Sequence, residues 1–306
     1  MNDETTLGTM RTRTAFRIAG AGLLLGGATL GYASLIERNL FTLRRFDVPV
    51  LDPDAEPLRV LHISDLHLTP DQRRKQDWVA SLTATDPDLV VTTGDNLAHA
   101  DSVPAVVRAL GPLLELPGAF VFGSNDYRGP VLKNPLGYFD QDRPYRQGAD
   151  LPTEELRGVL TRAGWLDLNN ARTVVKAGGR TIELVGVDDP HIARDDYATV
   201  GGPGLEAADL HVGLTHTPEP EILHRMAADG FELLLAGHTH GGQVRVPGVG
   251  ALVTNCGLDR RMARGLHRWP GSTAWLHVSA GLGTHPTAPV RFACRPEATL
   301  LTLVPR

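Results

Sequence analysis

Short apolar runs that end on glycine or polar clusters recur along the chain beyond residue 57, and this pattern constrains the fold most. Six such runs are predicted to be buried strands, at residues 58–64, 88–94, 118–123, 180–187, 209–216 and 231–238. Helical stretches, such as residues 71–85 and 103–114, lie between several of them, and residues 273–281 and 297–304 predict two further strands. Strands interleaved with a few helices indicate an α/β domain with one large buried sheet or two stacked sheets.

Polar side chains follow five of these strands at the point where each strand ends. They are Asp65 and His67, Asp95, Asn125 and Asp126, His216, and His238 and His240. In the first and last of these groups the residues are two positions apart, so both side chains lean the same way from an extended backbone. Because open α/β sheets place their sites at the carboxyl ends of strands, these residues are predicted to share one site.

The residue types in this set indicate a metal centre. Asp, His and Asn without cysteine suit Mn, Fe, Zn, Co or Ni better than a thiolate zinc site or an all-oxygen calcium site. The set is large enough for two divalent cations with one shared carboxylate. Two cations about 3.5–4 Å apart, bridged by a carboxylate and a hydroxide, form an arrangement for in-line displacement at phosphorus. The sequence therefore predicts a dinuclear metal-dependent phosphohydrolase that cleaves phosphomonoesters or phosphodiesters.

The order of these motifs resembles that of the calcineurin-like metallophosphoesterases. The family pattern D-x-H, G-D-x, G-N-H-D/E, a lone H and G-H-x-H corresponds here to five segments, at 65–67, 94–96, 123–126, 216 and 237–240. Residues 237–247 and 279–303 look like the bacterial membrane-associated branch of that family. The resemblance implies a four-layer αββα sandwich of two stacked mixed sheets flanked by helices.

The resemblance also implies a role for each predicted ligand. One cation would be bound by Asp65, His67 and His240, and the other by Asn125, His216 and His238. Asp95 would bridge the two cations.

The third motif departs from the family pattern, because no histidine stands where the family has its leaving-group histidine. If Gly123 matches the family glycine, Ser124 takes the ligand position and Asn125 replaces the histidine. If the chain is slipped by one residue, Asn125 is the ligand and Asp126 replaces the histidine. We favour the second register because serine is a poor neutral ligand for these cations. Asp126 and Asn125 are then the predicted catalytic residues, with Asp126 facing the substrate as general acid.

A long irregular insertion follows this motif, at residues 127–152. Irregular segments of this length in a domain are often functional. Tyr127, Arg128 and Lys133 are the predicted substrate-binding residues of a lid that grips phosphate, and a solvated surface loop is the alternative.

The N-terminal region is predicted to attach the chain to a membrane. Residues 18–36 carry no charge and are long enough to span a bilayer as a helix, so residues 1–36 are interpreted as a signal-anchor segment. A cleaved signal peptide and a helix packed on the domain are the alternatives. Residues 37–57 are predicted to be a linker and residues 58–306 the phosphoesterase domain. With the anchor, the catalytic domain is expected outside the cytoplasm, and a secreted or cytoplasm-facing protein is the alternative.

The overall composition limits the kinds of binding partner that are expected. A formal net charge of −5 argues against nucleic acid as the main partner. The two cysteines, Cys256 and Cys294, lie in apolar surroundings and are predicted to be free thiols. The expected substrate is a phosphate ester, such as a cell-envelope or lipid-linked phosphate. A pyrophosphatase of nucleotide-sugar lipids and a catalytically impaired metal-binding envelope protein are the alternatives.

Overall fold

The computed structural model describes residues 24–131, 148–285 and 287–306, and its regular structure combines β-strands with helices. The strands are β1 (Thr42–Leu51), β2 (Leu58–Ile63), β3 (Leu89–Thr92), β4 (Gly118–Phe120), β5 (Leu166–Asp167), β6 (Ala171–Ala177), β7 (Arg180–Gly186), β8 (Leu210–Leu214), β9 (Leu233–Ala236), β10 (Arg245–Val246), β11 (Gly250–Ala251), β12 (Gly265–Arg268), β13 (Trp275–Val278) and β14 (Glu297–Pro305). The α-helices are α1 (24–31), α2 (Arg73–Ser81), α3 (Val103–Leu110), α4 (Ser124–Tyr127), α5 (Thr153–Arg162), α6 (Tyr197–Val200) and α7 (Pro220–Ala228).

Twelve of these strands form two six-stranded mixed sheets. The first sheet has the order β1-β14-β2-β3-β4-β5, and the second has the order β12-β13-β9-β8-β7-β6. Parallel pairing runs from β2 through β5 and from β13 through β7, whereas the β14–β2, β12–β13 and β6–β7 pairs are antiparallel. The β10–β11 hairpin stands apart from both sheets.

Alternation along the strands divides the apolar side chains among three core layers. In β9, Leu233 and Leu235 face the core between the sheets, whereas Leu234 and Ala236 face the layer that contains α6 and α7. In β2, Val60 faces the core between the sheets. Leu61 is on the opposite face of the strand and packs toward α2, α3 and α5. Both faces of each sheet are therefore covered, and the fold is the four-layer αββα sandwich that the sequence resemblance implied.

The predicted linker at residues 37–57 contains strand β1, so this part of the prediction is wrong. β1 pairs in parallel with β14 along nearly its whole length and buries Val48, Val50 and Leu51. Its charged residues and Pro49 made the segment look irregular in the sequence. They are tolerated because β1 is an edge strand, where one side of the backbone needs no ladder hydrogen bonds.

The predicted anchor, residues 18–36, lies partly outside the described residues. Its described part continues from α1 into a π-helical turn at Tyr32–Ile36, and Arg291 donates a backbone hydrogen bond to Ala33. Within the described ranges, no helix is both long and apolar enough to cross a bilayer. Attachment to a membrane therefore stays a prediction.

Both cysteines are free thiols, as the sequence predicted. Cys294 is buried, and its backbone N–H donates to the carboxylate of Glu37 over 2.7 Å. Burial raises the pKa of Cys256 to about 12, so this thiol stays protonated near neutral pH.

Candidate metal centre

The predicted ligands lie where the strands of the two sheets end. Loops after β2, β3 and β4 of the first sheet meet loops after β8 and β9 of the second. Five of the seven predicted ligands have a positive φ, a left-handed conformation that non-glycine residues seldom adopt: Asp65 (50°), His67 (39°), Asp95 (55°), His238 (69°) and His240 (49°). Sharp turns at the strand ends thus aim these side chains at one another, and backbone strain of this kind clusters at functional sites.

Four of these residues form a compact cluster of possible ligands. Asp65, His67, Asp95 and His240 each offer one atom, and these atoms all lie within 4.8 Å of one another. His67 Nε2 lies 3.2 Å from His240 Nε2, and the two rings are stacked with centroids 5.0 Å apart. Burial lowers the pKa of His67 to about 3 and that of His240 well below its usual value. Both imidazoles are therefore neutral and able to act as ligands.

Asp95 lies between the two groups of predicted ligands. Its Oδ2 atom is 3.4 Å from Nε2 of His67 and also 3.4 Å from Nε2 of His216. Burial alone would raise the pKa of Asp95, but the neighbouring His216 outweighs burial and holds the pKa well below its usual range. A buried carboxylate with an imidazole on each side has the geometry of a bridge.

His216 is oriented by a backbone carbonyl. Its Nδ1–H donates to the carbonyl of Thr93 over 2.6 Å, so the lone pair of the neutral ring is on Nε2. Nε2 is buried and makes no hydrogen bond to any described residue, and it faces the Asp95 carboxylate. Although burial opposes it, the charges of Asp95 and Asp189 raise the pKa of His216 well above its usual value. A lone pair that faces a carboxylate requires a proton or a cation between them.

Asp65 and His238 connect the two loops after β2 and β9. Ser64 Oγ donates to Asp65 Oδ2 over 2.6 Å, and the backbone N–H of His238 lies 3.2 Å from both carboxylate oxygens. A side chain at Gly237 would collide with Ser64 and Asp65, so the glycine permits this approach. The His238 ring lies edge-on to that of His216, with centroids 5.3 Å apart.

Asn125 reaches the same place from the loop after β4. Its backbone N–H donates to Asp95 Oδ1 over 2.8 Å and its side-chain amide to Asp95 Oδ2 over 2.7 Å. Ser124 is buried beside it, and its backbone N–H donates to Asp189 over 2.8 Å. Of these two residues, Asn125 has the side chain that contacts the predicted bridging carboxylate.

Asp126 points away from this site, which contradicts the expectation that it faces the substrate. It is fully buried, and its Oδ1 accepts from the backbone N–H groups of Asn96 (2.7 Å) and Leu97 (3.1 Å). Its Oδ2 accepts from the Gly123 backbone N–H (3.1 Å) and the Asn96 side-chain amide (3.3 Å). As the third residue of α4, whose N-cap is Gly123, it caps its own helix and fastens the loop after β3. An aspartate placed in this way is a structural acceptor.

The predicted lid residues that the structure describes are held by protein partners. Tyr127 donates its hydroxyl to Asp188 over 2.8 Å, with the guanidinium of Arg194 4.2 Å above its ring. Arg128 forms an ion pair with Asp150 at the other end of the insertion. The third predicted residue, Lys133, lies outside the described residues. The described ends of the insertion are thus fastened together beside the site.

The segment after β7 supplies residues that were not among the predicted ligands. His191 has its ring 4.8 Å from that of His238, centroid to centroid. Asp189 is fully buried and accepts hydrogen bonds from Ser124 N–H and from Thr217 Oγ1, the latter over 2.6 Å. The only signal in the sequence was the strand end itself, and "DDPH" also suits an ordinary turn.

The residues present fit divalent cations. The donor set combines buried carboxylates, imidazoles and the amide of Asn125, with no thiolate within the cluster. Within the described ranges, His216 Nε2 is buried, lacks a hydrogen bond and faces the Asp95 carboxylate. Buried polar atoms normally have partners, so an atom left over in a concentrated donor set indicates a bound ion.

Comparison with known proteins places these residues in a family context. The profile of the family described as "Calcineurin-like phosphoesterase" matches residues 58–242. The chain is 29% identical over 300 residues to "Phosphodiesterase YaeI" of Escherichia coli (strain K12), covering 96% of this chain and 100% of that protein. It is 30% identical over 253 residues to "Uncharacterized metallophosphoesterase YkoQ" of Bacillus subtilis (strain 168), covering 81% of this chain and 84% of that one.

A further relative has a more specific description. "UDP-2,3-diacylglucosamine pyrophosphatase LpxG" of Chlamydia trachomatis is 26% identical over 316 residues. The match covers 88% of this chain and 91% of that protein. Likeness therefore extends over most of the length of each of these three proteins.

Proposed function

Because the chain belongs to the calcineurin-like phosphoesterase family, and is therefore a hydrolase of phosphate esters, we propose that it cleaves phosphodiesters at a centre of two divalent cations. Asp65, His67 and His240 would hold one cation, and Asn125, His216 and His238 would hold the other. Asp95 would be shared between the two. One observation carries this assignment, namely that Asp95 Oδ2 is equally distant, at 3.4 Å, from an imidazole nitrogen of each group.

When bound, two such cations neutralise the phosphoryl oxygens and lower the pKa of water. The chain's own residues supply the position and the charge. Asn125 fixes Asp95 through its backbone N–H, and a half-turn of its amide would present Oδ1 where Nδ2 now lies. Asp65 and Asp95 are both buried, so little water competes for their charge. His191 borders the cleft beside His238, where it can donate a hydrogen bond to a substrate oxygen.

The experiment is a hydrolysis assay with bis(4-nitrophenyl) phosphate and added Mn²⁺. Asp95→Asn is expected to lower kcat by about 10³-fold or more, because the bridging charge disappears while the shape of the side chain is kept. The matched control is Asp101→Asn, in the same loop but with an 83% exposed side chain, which should leave kcat unchanged. Unchanged activity in Asp95→Asn would sink the two-cation assignment, and an inactive wild-type chain that still binds Mn²⁺ would indicate an impaired metal-binding protein.

A pyrophosphate bond in a nucleotide-linked lipid is the second candidate substrate. The relative described as a UDP-2,3-diacylglucosamine pyrophosphatase supports it, as that protein matches along 91% of its length. Release of UMP from UDP-2,3-diacylglucosamine, measured beside 4-nitrophenyl phosphate and bis(4-nitrophenyl) phosphate, separates the three classes of ester. A kcat/KM for the lipid at least 100-fold above that for the nitrophenyl diester would favour the pyrophosphatase.

A position at the membrane surface is part of this proposal. The large apolar side chains of residues 24–36 are open to solvent, including Leu24 (78% exposed), Leu25 (71%) and Leu35 (71%). Several solvent-exposed leucines on one short segment suit contact with lipid. Sedimentation with vesicles should separate the full chain, which binds, from a variant with Leu24, Leu25 and Leu35 replaced by serine, which binds less. Equal sedimentation of the two would argue against lipid contact through these side chains.

A further inference from the structure

Two fully buried histidines meet in the core between the sheets. His62 lies on β2 and His277 on β13, so they come from opposite sheets, and both are 0% exposed. Their Nδ1 atoms are 2.8 Å apart and their rings are edge-on, with centroids separated by 5.0 Å. Burial lowers the pKa of His62 to about 3 and that of His277 well below its usual value, so both rings are neutral. Burying two imidazoles costs free energy that their hydrogen bonds offset only in part, since His277 Nε2 has no hydrogen-bond partner among the described residues.

A line of hydrogen bonds continues from this pair to a predicted metal ligand. His62 Nε2 is 2.8 Å from Thr93 Oγ1, which donates to Ser64 Oγ over 2.8 Å. Ser64 Oγ then lies 2.6 Å from Asp65 Oδ2. All of these residues are fully buried, so no water competes for the bonds.

The direction of the bonds is set from the Asp65 end of the line. Ser64 Oγ donates to Asp65 Oδ2, and Thr93 Oγ1 donates to Ser64 Oγ. The single hydroxyl proton of Thr93 is then used, so His62 donates through Nε2–H. This leaves the lone pair of His62 on Nδ1, and His277 donates through its Nδ1–H. All four bonds therefore donate toward Asp65.

Thr93 also reaches the other group of predicted ligands. Its carbonyl accepts from His216 Nδ1 over 2.6 Å, which fixes the tautomer that leaves His216 Nε2 facing Asp95. One residue thus contacts both Asp65, through Ser64, and His216 directly. A shift of Thr93 would move ligands on both sides of the centre.

We propose that His277, His62, Thr93 and Ser64, here named the inter-sheet donor chain, position Asp65 and His216 for cation binding. This inference rests on the proposed function. The chain places a strong donor on Oδ2 of Asp65, whereas Oδ1, 3.6 Å from His240 Nε2, shares the weaker 3.2 Å contact of the His238 backbone N–H and keeps a lone pair for the cation. Each hydroxyl donates more strongly because it accepts from the group behind it. Residues that orient ligands in this way are expected to affect metal affinity about 10–100-fold.

Thr93→Val and Thr92→Val form a matched pair for the test. Both threonines are buried and adjacent, but Thr92 Oγ1 has no hydrogen-bond partner among the described residues, whereas Thr93 Oγ1 has two. Calorimetric titration of the metal-free full chain with Mn²⁺ should show about tenfold weaker binding for Thr93→Val. Binding by Thr92→Val should stay within about twofold of wild type. Thr93→Ser, which keeps the hydroxyl, should restore the affinity.

Two further measurements separate positioning from simple structural support. Ser64→Ala should weaken Mn²⁺ binding as Thr93→Val does, and the double variant should lose little more, because both break the same chain. Thermal unfolding of the metal-free variants is measured alongside. If Thr93→Val only lowers the unfolding midpoint and binds Mn²⁺ as tightly as Thr92→Val, the positioning role is overturned. If Thr93→Val does not fold, Ser64→Ala decides the question. Mn²⁺ binding by Ser64→Ala as tight as that of wild type then overturns the positioning role. A wild-type chain that binds no Mn²⁺ would overturn the proposed function itself.

Discussion

The loops after β3 and β4 each carry one buried aspartate, and each loop serves the aspartate of the other. The loop after β4 donates the backbone N–H of Asn125 to Asp95, and the loop after β3 donates the backbone N–H groups of Asn96 and Leu97 to Asp126. Both carboxylates are almost completely buried. Their remaining partners differ, because Asp95 faces two imidazoles and Asp126 faces only N–H donors.

This difference separates a ligand from a structural cap. Burial and the charge of Asp95 raise the pKa of Asp126 to about 7, although its N–H donors oppose the rise. Burial also acts on Asp95, but the charge of His216 outweighs it and lowers the pKa of Asp95. Asp126 has no acceptor position directed at the cleft, whereas Asp95 Oδ2 is shared with groups that can bind a cation. The partners of a buried aspartate, rather than its burial, identify its role.

The largest expected effect is on stability, at Asp126. Asp126→Ala should lower the free energy of unfolding by about 3–4 kcal/mol, since it leaves several buried N–H donors without an acceptor. Urea denaturation monitored by circular dichroism measures this. Asp101→Ala, with its exposed side chain, is the control and should change stability by less than about 0.5 kcal/mol. A small loss in Asp126→Ala, together with a large loss of activity, would reverse the roles given to the two aspartates.

The next largest expected effect is on activity, and it distinguishes Asn125 from its neighbour Ser124. Asn125→Ala should lower kcat/KM by about 100-fold, because it removes a proposed ligand and the side-chain contact with Asp95. Ser124→Ala should lower it by less than about threefold. Steady-state kinetics with bis(4-nitrophenyl) phosphate gives both values. The opposite order would assign the ligand to Ser124 and support the unslipped register of the motif.

The affinity for Mn²⁺ is expected to depend on pH through His216, which faces Asp95. His216 has a raised pKa and carries a proton near pH 7 in the metal-free protein, and a cation that takes Nε2 must displace it. Mn²⁺ binding should therefore release about one proton, and affinity should rise as pH rises, up to about tenfold per unit below that pKa. Calorimetry in two buffers of different ionisation enthalpy measures the release. Equal heats in both buffers would contradict it.

The smallest expected effect concerns the missing family histidine. His191 brings an imidazole to the cleft from the segment after β7, next to His238. His191→Ala should lower kcat/KM about 3–10-fold for a diester with a poor leaving group and less for the nitrophenyl diester. His224→Ala, on the exposed face of α7, is the control. If both variants changed kcat/KM equally, His191 would not be the substitute for the missing family histidine.

The strands and the group of converging ligands could be predicted from the sequence because they depend on local pattern, whereas the four-layer sandwich was implied only by the resemblance to a known family. Short apolar runs gave β2, β3, β8 and β9, and their ends gave Asp65, Asp95, His216 and His238. Strand β1 was missed, because its arginines and Pro49 are acceptable only at a sheet edge, and edge position depends on the whole sheet. The identities of the residues that touch Asp95 and Asp126 likewise depend on two loops that meet only after folding.

The sequence alone determined which residues end each strand, and therefore which chemistry collects at one edge of the sheets. Periodicity and ligand type are properties of neighbouring residues, so they survive without a structure. The tertiary structure decided which aspartate faces the cleft and which one caps a helix. It also brought His62 of one sheet against His277 of the other, 215 positions away in sequence. Such contacts follow from the packing of sheet on sheet, which fixes side-chain partners by distance in space rather than along the chain.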